Sequence, residues 1–152
     1  MRGMLITIMR HGEAGQAASD RQRQLTARGI AEVERGAARL LQICASRGIA
    51  APGRILHSAW LRTSQTATLA GSILQAQSAQ SLDALLPGAS LVNVDQALDE
   101  LMDRAPHLLL VSHQPLVSRL ADHYLGEPGR VPGLSPGGLV TLELPMAAEG
   151  AA

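Results

Sequence analysis

Along the chain, short apolar runs alternate with longer stretches whose apolar positions recur every three or four residues. Residues 5–9, Leu-Ile-Thr-Ile-Met, form an apolar, β-branched run that stops at Arg10-His11-Gly12, the pattern of a buried strand entering a loop. Residues 12–23 are small and polar and predict an ordered loop. Over 26–46 the apolar positions are Ile30, Val33, Ala37, Leu40, Leu41 and Cys44, which share one helix face. Gly48 and Pro52 close that segment, and Gly29 and Gly36 weaken it. Residues 54–57 predict a second strand, and Ser58 is expected to cap a helix over about 60–74. A faint third strand is expected at 81–85, with Pro87-Gly88 as a turn. Ser90 caps a helix whose face is Leu91, Val94, Leu98 and Leu101. The clearest buried strand covers 107–112, with Leu108-Leu109-Leu110-Val111 at its centre. Pro115 is placed in the first turn of the next helix, which runs to about Tyr124. A Pro- and Gly-rich segment, 126–138, leads to a last strand at 139–144, and 146–152 read as a frayed tail.

Strands that alternate with helices predict an α/β fold with three αβα layers, a mostly parallel central sheet flanked by helices. No repeat or linker interrupts the pattern, so one domain is expected over 1–152, with an ordered core at about 4–145.

Composition sharpens this in a few places. Apolar residues make up 46% of 152, which argues against disorder. Trp60 and Tyr124 are the only aromatic residues, so the core must be aliphatic. All 13 basic residues are Arg, which removes lysine chemistry and leaves the side chain whose planar fork best fits phosphate. A net charge of zero without basic runs speaks against nucleic-acid binding. Cys44, the single cysteine, rules out an intramolecular disulfide and reads as core packing on the helix stripe. The apolar run before Arg10 is too short for a signal peptide, and no stretch is long enough to span a bilayer. A cytoplasmic protein without membrane association is expected.

Ligands of open α/β sheets bind beyond the carboxyl ends of the strands. Arg10 and His11 follow the first strand, Ser58 and Arg62 the second, and His113 the clear strand at 107–112. Two histidines and two arginines would make a poor core, because they would bury charge without an acidic partner. They suit a phosphoryl dianion: arginines stabilise charge on its non-bridging oxygens, and an imidazole nitrogen can attack phosphorus in line. Flanking Arg10 and Arg62 should keep His11 neutral, whereas bound phosphate would favour a protonated His113. Arg-His-Gly alone is a weak signal, and so is His113 alone; their joint placement at strand ends carries the reading. A metal held by His11, His113 and Glu13 is disfavoured, since two arginines repel a cation. No cofactor is expected. His57, His107 and His123 read as structural or surface residues, His57 the least clearly, as it precedes Ser58 at the same edge.

These residues resemble a known family. Met9-Arg10-His11-Gly12 resembles the signature of the histidine phosphatase superfamily, which has the phosphoglycerate mutase-like fold. Residues 58–66, Ser-Ala-Trp-Leu-Arg-Thr-Ser-Gln-Thr, resemble its second motif, with Ala59 in place of the usual proline. Residues 111–117 resemble the motif around the second histidine. Ala18-Ser19-Asp20 with Arg23-Gln24-Leu25-Thr26 is similar to a loop of the short SixA-type phosphohistidine phosphatases. The resemblance runs from Met4 to about Leu144. It implies His11 as nucleophile, with Arg10, Arg62 and His113 on the phosphoryl group, and Arg23 and Ser58 as further contacts. Larger members carry insertions over the site and a glutamate acid after the third strand. Here Ala84 falls about where that acid aligns, which leaves Asp83, Glu13 or no residue as general acid. An imidazole leaving group needs less protonation than an alkoxide, and an uncovered site admits a protein surface. Both favour phosphohistidine in a phosphotransfer protein as substrate. A phosphatase of small phosphomonoesters and a non-catalytic phosphate-binding module are the alternatives.

Overall fold

The computed structural model describes residues 4–100, 106–126 and 133–144; Leu101 of the expected helix face, part of the 126–138 segment and the 146–152 tail lie outside them. The strands are β1 (Met4–Arg10), β2 (Arg54–His57), β3 (Ser78–Ser81), β4 (His107–Ser112) and β5 (Leu139–Leu144). They form one sheet in the order β3-β2-β4-β1-β5. β4 pairs in parallel with β1 and β2, and β2 with β3, while β5 runs antiparallel along β1. The register sets Arg10 beside Ser112 and His57 beside Val111. Three carboxyl ends therefore finish level at one edge.

Helices α1 (Ala27–Arg47) and α2 (Leu61–Leu74) cover one face, and α3 (Leu91–Asp99) and α4 (Leu116–Leu125) the other. Alternate strand residues divide between the two layers. Met9, Ile55, Leu109 and Val111 pack on Val33, Ala37, Leu40 and Cys44 of α1 and on Ala67 and Ala70 of α2. Ile6, Ile8, Leu56, Leu108 and Leu110 meet Val94 and Leu98 of α3 and Val117 and Leu120 of α4. Cys44 is buried in the first of these clusters.

Several expectations need correction. The third strand is not at 81–85 but at Ser78–Ser81, all four residues exposed. It is a polar edge strand, without an apolar signal, held by backbone pairing to β2. The apolar residues after it belong to a 3-10 turn, Asp83–Leu85, whose fully buried Leu85 plugs the core while its carbonyl accepts from Ser112 Oγ at 2.6 Å. Ser58 is not the cap of α2: Trp60 holds that position without a side-chain cap. Pro115 precedes α4 as its N-cap instead of entering its first turn.

On α1, Ile30 and Leu41 are each 39% exposed, and the buried stripe is Gly29, Val33, Ala37, Leu40 and Cys44. Gly29 joins the stripe because the loop after His11 crosses the helix there. A Cβ on Gly29 would overlap the Glu13 carbonyl oxygen, and one on Gly12 would lie 2.5 Å from Gly29 O. The helix propensity lost at Gly29 is thus exchanged for a close backbone crossing. Gly29→Ala should destabilise the protein by about 3 kcal/mol through this overlap, read as a fall in the urea midpoint. A midpoint at or above wild type would show that the crossing yields freely.

Candidate active site

Each chemically active side chain is placed by a short backbone device at the level edge. His11 follows β1, and its amide donates to Ser112 O at 3.2 Å, continuing the sheet one residue past the strand. Its Nδ1 lies 2.7 Å from Gly12 O. A carbonyl can only accept, so Nδ1 carries the proton and Nε2 keeps its lone pair. Arg62, in the first turn of α2, aims Nε at that Nε2 from 3.2 Å. Thr66, one turn on, accepts from the Gly12 amide at 3.3 Å and donates to Arg62 O at 2.8 Å, coupling the helix to the His11 loop. The His113 ring stands edge-on to the His11 ring with centroids 5.3 Å apart. Both histidines and Arg62 are buried.

The remaining expected residues surround this group. Arg10 sends one donor to Leu134 O at 2.8 Å, and its buried Nε has no hydrogen-bond partner among the described residues. Arg23 is tied to the loop through Gly15 O at 2.7 Å and Ala14 O at 3.2 Å, and meets Asp20 at 3.1 Å. The Ser58 hydroxyl lies 2.8 Å from His113 Nε2. Asp83 lines a groove with Pro87, Asn93 and Glu100, while Glu13 accepts from Thr26 Oγ1 at 2.8 Å. His107 bridges Ala50 O and Thr7 Oγ1 inside the sheet, His123 pairs with Asp95, and His57 rests on Ser58 O.

The absence of an acidic partner, assumed from the sequence, is overturned. Asp20 supplies one, its carbonyl accepting from Arg62 Nη1 at 2.7 Å and its carboxylate lying 3.5 Å from the same atom. Nothing in the spacing of Asp20 relative to α2 signals this pairing, because the loop that carries it folds back by tertiary contact. Trp60 was likewise unassigned: its ring lies edge-on to His113 at 5.4 Å and under the Arg62 guanidinium at 4.8 Å. A chemically special residue two positions before Arg62 was the available hint.

Burial is the main force on both histidines. It lowers His11 from 6.5 to about 4, opposed by the Gly12 carbonyl and assisted by Arg62, Arg10 and Arg23. It lowers His113 from 6.5 to about 3, assisted by His11 and Arg62 and opposed by Asp20. Both rings are neutral in the resting protein at pH 7. A buried imidazole lone pair ringed by guanidinium groups can attract an anion and attack its electrophilic centre.

No protein-family model matches the chain, and no curated protein sequence matches it. Among solved structures, the protein histidine phosphatase SixA complexed with tungstate superposes with a TM-score of 0.78 at 31% identity, over 93% of this chain and 89% of that one. The chain belongs to the SixA-type histidine phosphatases. A candidate SixA phosphohistidine phosphatase of Agrobacterium tumefaciens shares the fold at 24% identity and a TM-score of 0.75, over 92% of this chain and 91% of that one. A mycobacterial glucosyl-3-phosphoglycerate phosphatase shares it at 15% identity and a TM-score of 0.69, over 92% and 91%. This SixA-type protein is accordingly a phosphatase with the phosphoglycerate mutase-like α/β fold. Among its described residues, no helix is long and apolar enough to cross a membrane.

Proposed function

We propose that this phosphatase removes the phosphoryl group from phosphohistidine on a cytoplasmic phosphotransfer protein, through a phosphorylated His11. The observation that carries the proposal is the His11 ring: its proton is committed to Gly12 O, and its Nε2 lone pair faces Arg62 beside His113.

The incoming phosphoryl dianion takes over the donors of Arg62, which leaves Nε2. His11 Nε2 then forms a bond to phosphorus as the P–N bond of the substrate breaks, and the substrate ring, already protonated on its other nitrogen, departs with the bonding pair as neutral imidazole. Arg10, Arg62 and His113 hold the three non-bridging oxygens, and Arg23 adds positive potential from the loop. Water then attacks phosphorus, the His11–phosphorus bond breaks, and phosphate leaves with His11 restored. Since the carboxylate that touches the cluster among the described residues is Asp20, bound to Arg62, a substrate whose leaving group needs little protonation suits the site best. A depression of about 310 Å³ lined by Gln16, Ala17, Asp20 and Arg23 lies beside the cluster, which it meets through the Asp20 contact with Arg62.

The test compares a phosphohistidine-bearing phosphotransfer domain with a sugar phosphate and an aryl phosphate. The phosphohistidine protein should have a kcat/KM at least about a hundredfold higher, equivalent to ~2.7 kcal/mol of transition-state preference. Preference for either ester would end the substrate reading and favour a small-molecule phosphatase.

A further inference from the structure

Ser58 is fully buried directly after β2, and its backbone is held on three sides. Its amide donates to Val111 O at 3.1 Å, and its carbonyl accepts from Thr63 Oγ1 at 2.8 Å and lies 2.9 Å from His57 Nδ1. The hydroxyl is therefore delivered to a fixed point, 2.8 Å from His113 Nε2. Its other partner among the described residues is the Trp60 amide, a donor, at 3.4 Å.

Proton counting separates the two neutral forms of His113. If Nε2 carried the hydrogen, Ser58 Oγ would accept from both His113 and Trp60, and its own hydrogen would be buried without an acceptor among the described residues. If Nε2 is bare, Ser58 donates to it, accepts from Trp60, and every hydrogen at that end is used. The first arrangement leaves two buried groups unmet, the Ser58 hydrogen and the Nδ1 lone pair, and the second leaves one, the Nδ1–H, so the second wins. The His113 proton must then sit on Nδ1, which is buried and has no hydrogen-bond partner among the described residues.

We propose that Ser58 is a positioning residue whose hydroxyl locks His113 in the tautomer that offers an uncharged Nδ1–H to the transferred phosphoryl group. What the Nδ1–H serves rests on the phosphatase reading above; the tautomer is a property of the resting protein. The two histidines then carry their proton on the same nitrogen for opposite uses. His11 hides its N–H against Gly12 O and shows a lone pair, whereas His113 gives its lone pair to Ser58 and shows an N–H. An uncharged donor also avoids setting a further cation 5.3 Å from the nucleophile's ring. Burial, with His11 and Arg62 nearby, supports the neutral state by holding His113 at about 3.

The experiment is imidazole ¹⁵N–¹H correlation NMR of the full chain at pH 7, with His113 assigned from a His113→Gln sample. Wild type should show His113 protonated on Nδ1 and bare on Nε2. Ser58→Ala should convert it to an averaged or Nε2-protonated pattern, with kcat lowered about ten- to a hundredfold, less than the outright removal of one transition-state donor costs, and KM changed less than about threefold. Wild-type protonation on Nε2 would overturn the proposal, as would a Ser58→Ala protein with both the Nδ1–H pattern and full kcat. If Ser58→Ala does not fold, the wild-type spectrum decides alone. A protein with His113 protonated on Nδ1 that turns over no phosphoryl substrate would sink the phosphatase reading and leave the tautomer standing.

Discussion

Replacing His11 with Ala should lower turnover of every phosphoryl substrate by at least about ten-thousandfold, the scale seen when a catalytic nucleophile is removed. Wild type quenched in mid-turnover should carry an acid-labile, base-stable phosphoryl label, and His11→Ala should carry none. The size of the effect follows from geometry. No second imidazole is prepared to attack, because His113 gives Nε2 to Ser58 and stands edge-on to His11. The fold should survive, since His11 holds the sheet edge through its backbone amide and the substitution leaves that amide in place. A His11→Ala protein with wild-type kcat, or a label that persists in it, would remove the proposed nucleophile.

Arg62→Ala should lower kcat/KM by about a hundred- to a thousandfold, as loss of one preorganised donor does, and should also displace the pH profile. The nucleophile must be neutral, so activity is lost as pH falls through the His11 pKa of about 4. Arg62 is a cation that holds this value down. Removing it makes protonation easier, and the acid limb of kcat/KM moves to higher pH. The shift stops short of 6.5 because burial, the largest cause, remains. The same substrate measured on both proteins cancels the substrate's own ionisation. An acid limb that stays in place, or moves down, would show that Arg62 does not act on His11. Asp20 should deepen the loss of binding, since its carboxylate loses its Arg62 partner and adds negative potential beside the site.

How readily each part could be read depended on where its signal lay. The strands β1, β2 and β4 announce themselves because they are covered on both faces and must be apolar throughout. β3 does not, because an edge strand held by backbone pairing leaves Ser78–Ser81 free of hydrophobic demand, while the apolar turn behind it mimics a strand. Ile30 and Leu41 fit a helical period and yet face solvent. The stripe centre shifts toward Gly29, because a glycine lets the loop backbone approach where a larger side chain cannot. Asp20 and Trp60 were opaque because their partners lie 42 and 53 residues on, at Arg62 and His113, and periodicity carries no information over such distances.

By itself the sequence determined the alternation of strand and helix, the aliphatic makeup of the core, and which residue types stand at the strand ends. Local chain geometry and solvent preference act over a few residues, and a linear pattern records them faithfully. Only the tertiary structure decided the protonation pattern of the two histidines, the Asp20 hold on Arg62 and the role of Ser58. Hydrogen-bond pairing in a buried site depends on atoms a few ångströms apart in space, contributed by segments that meet only once the sheet has closed.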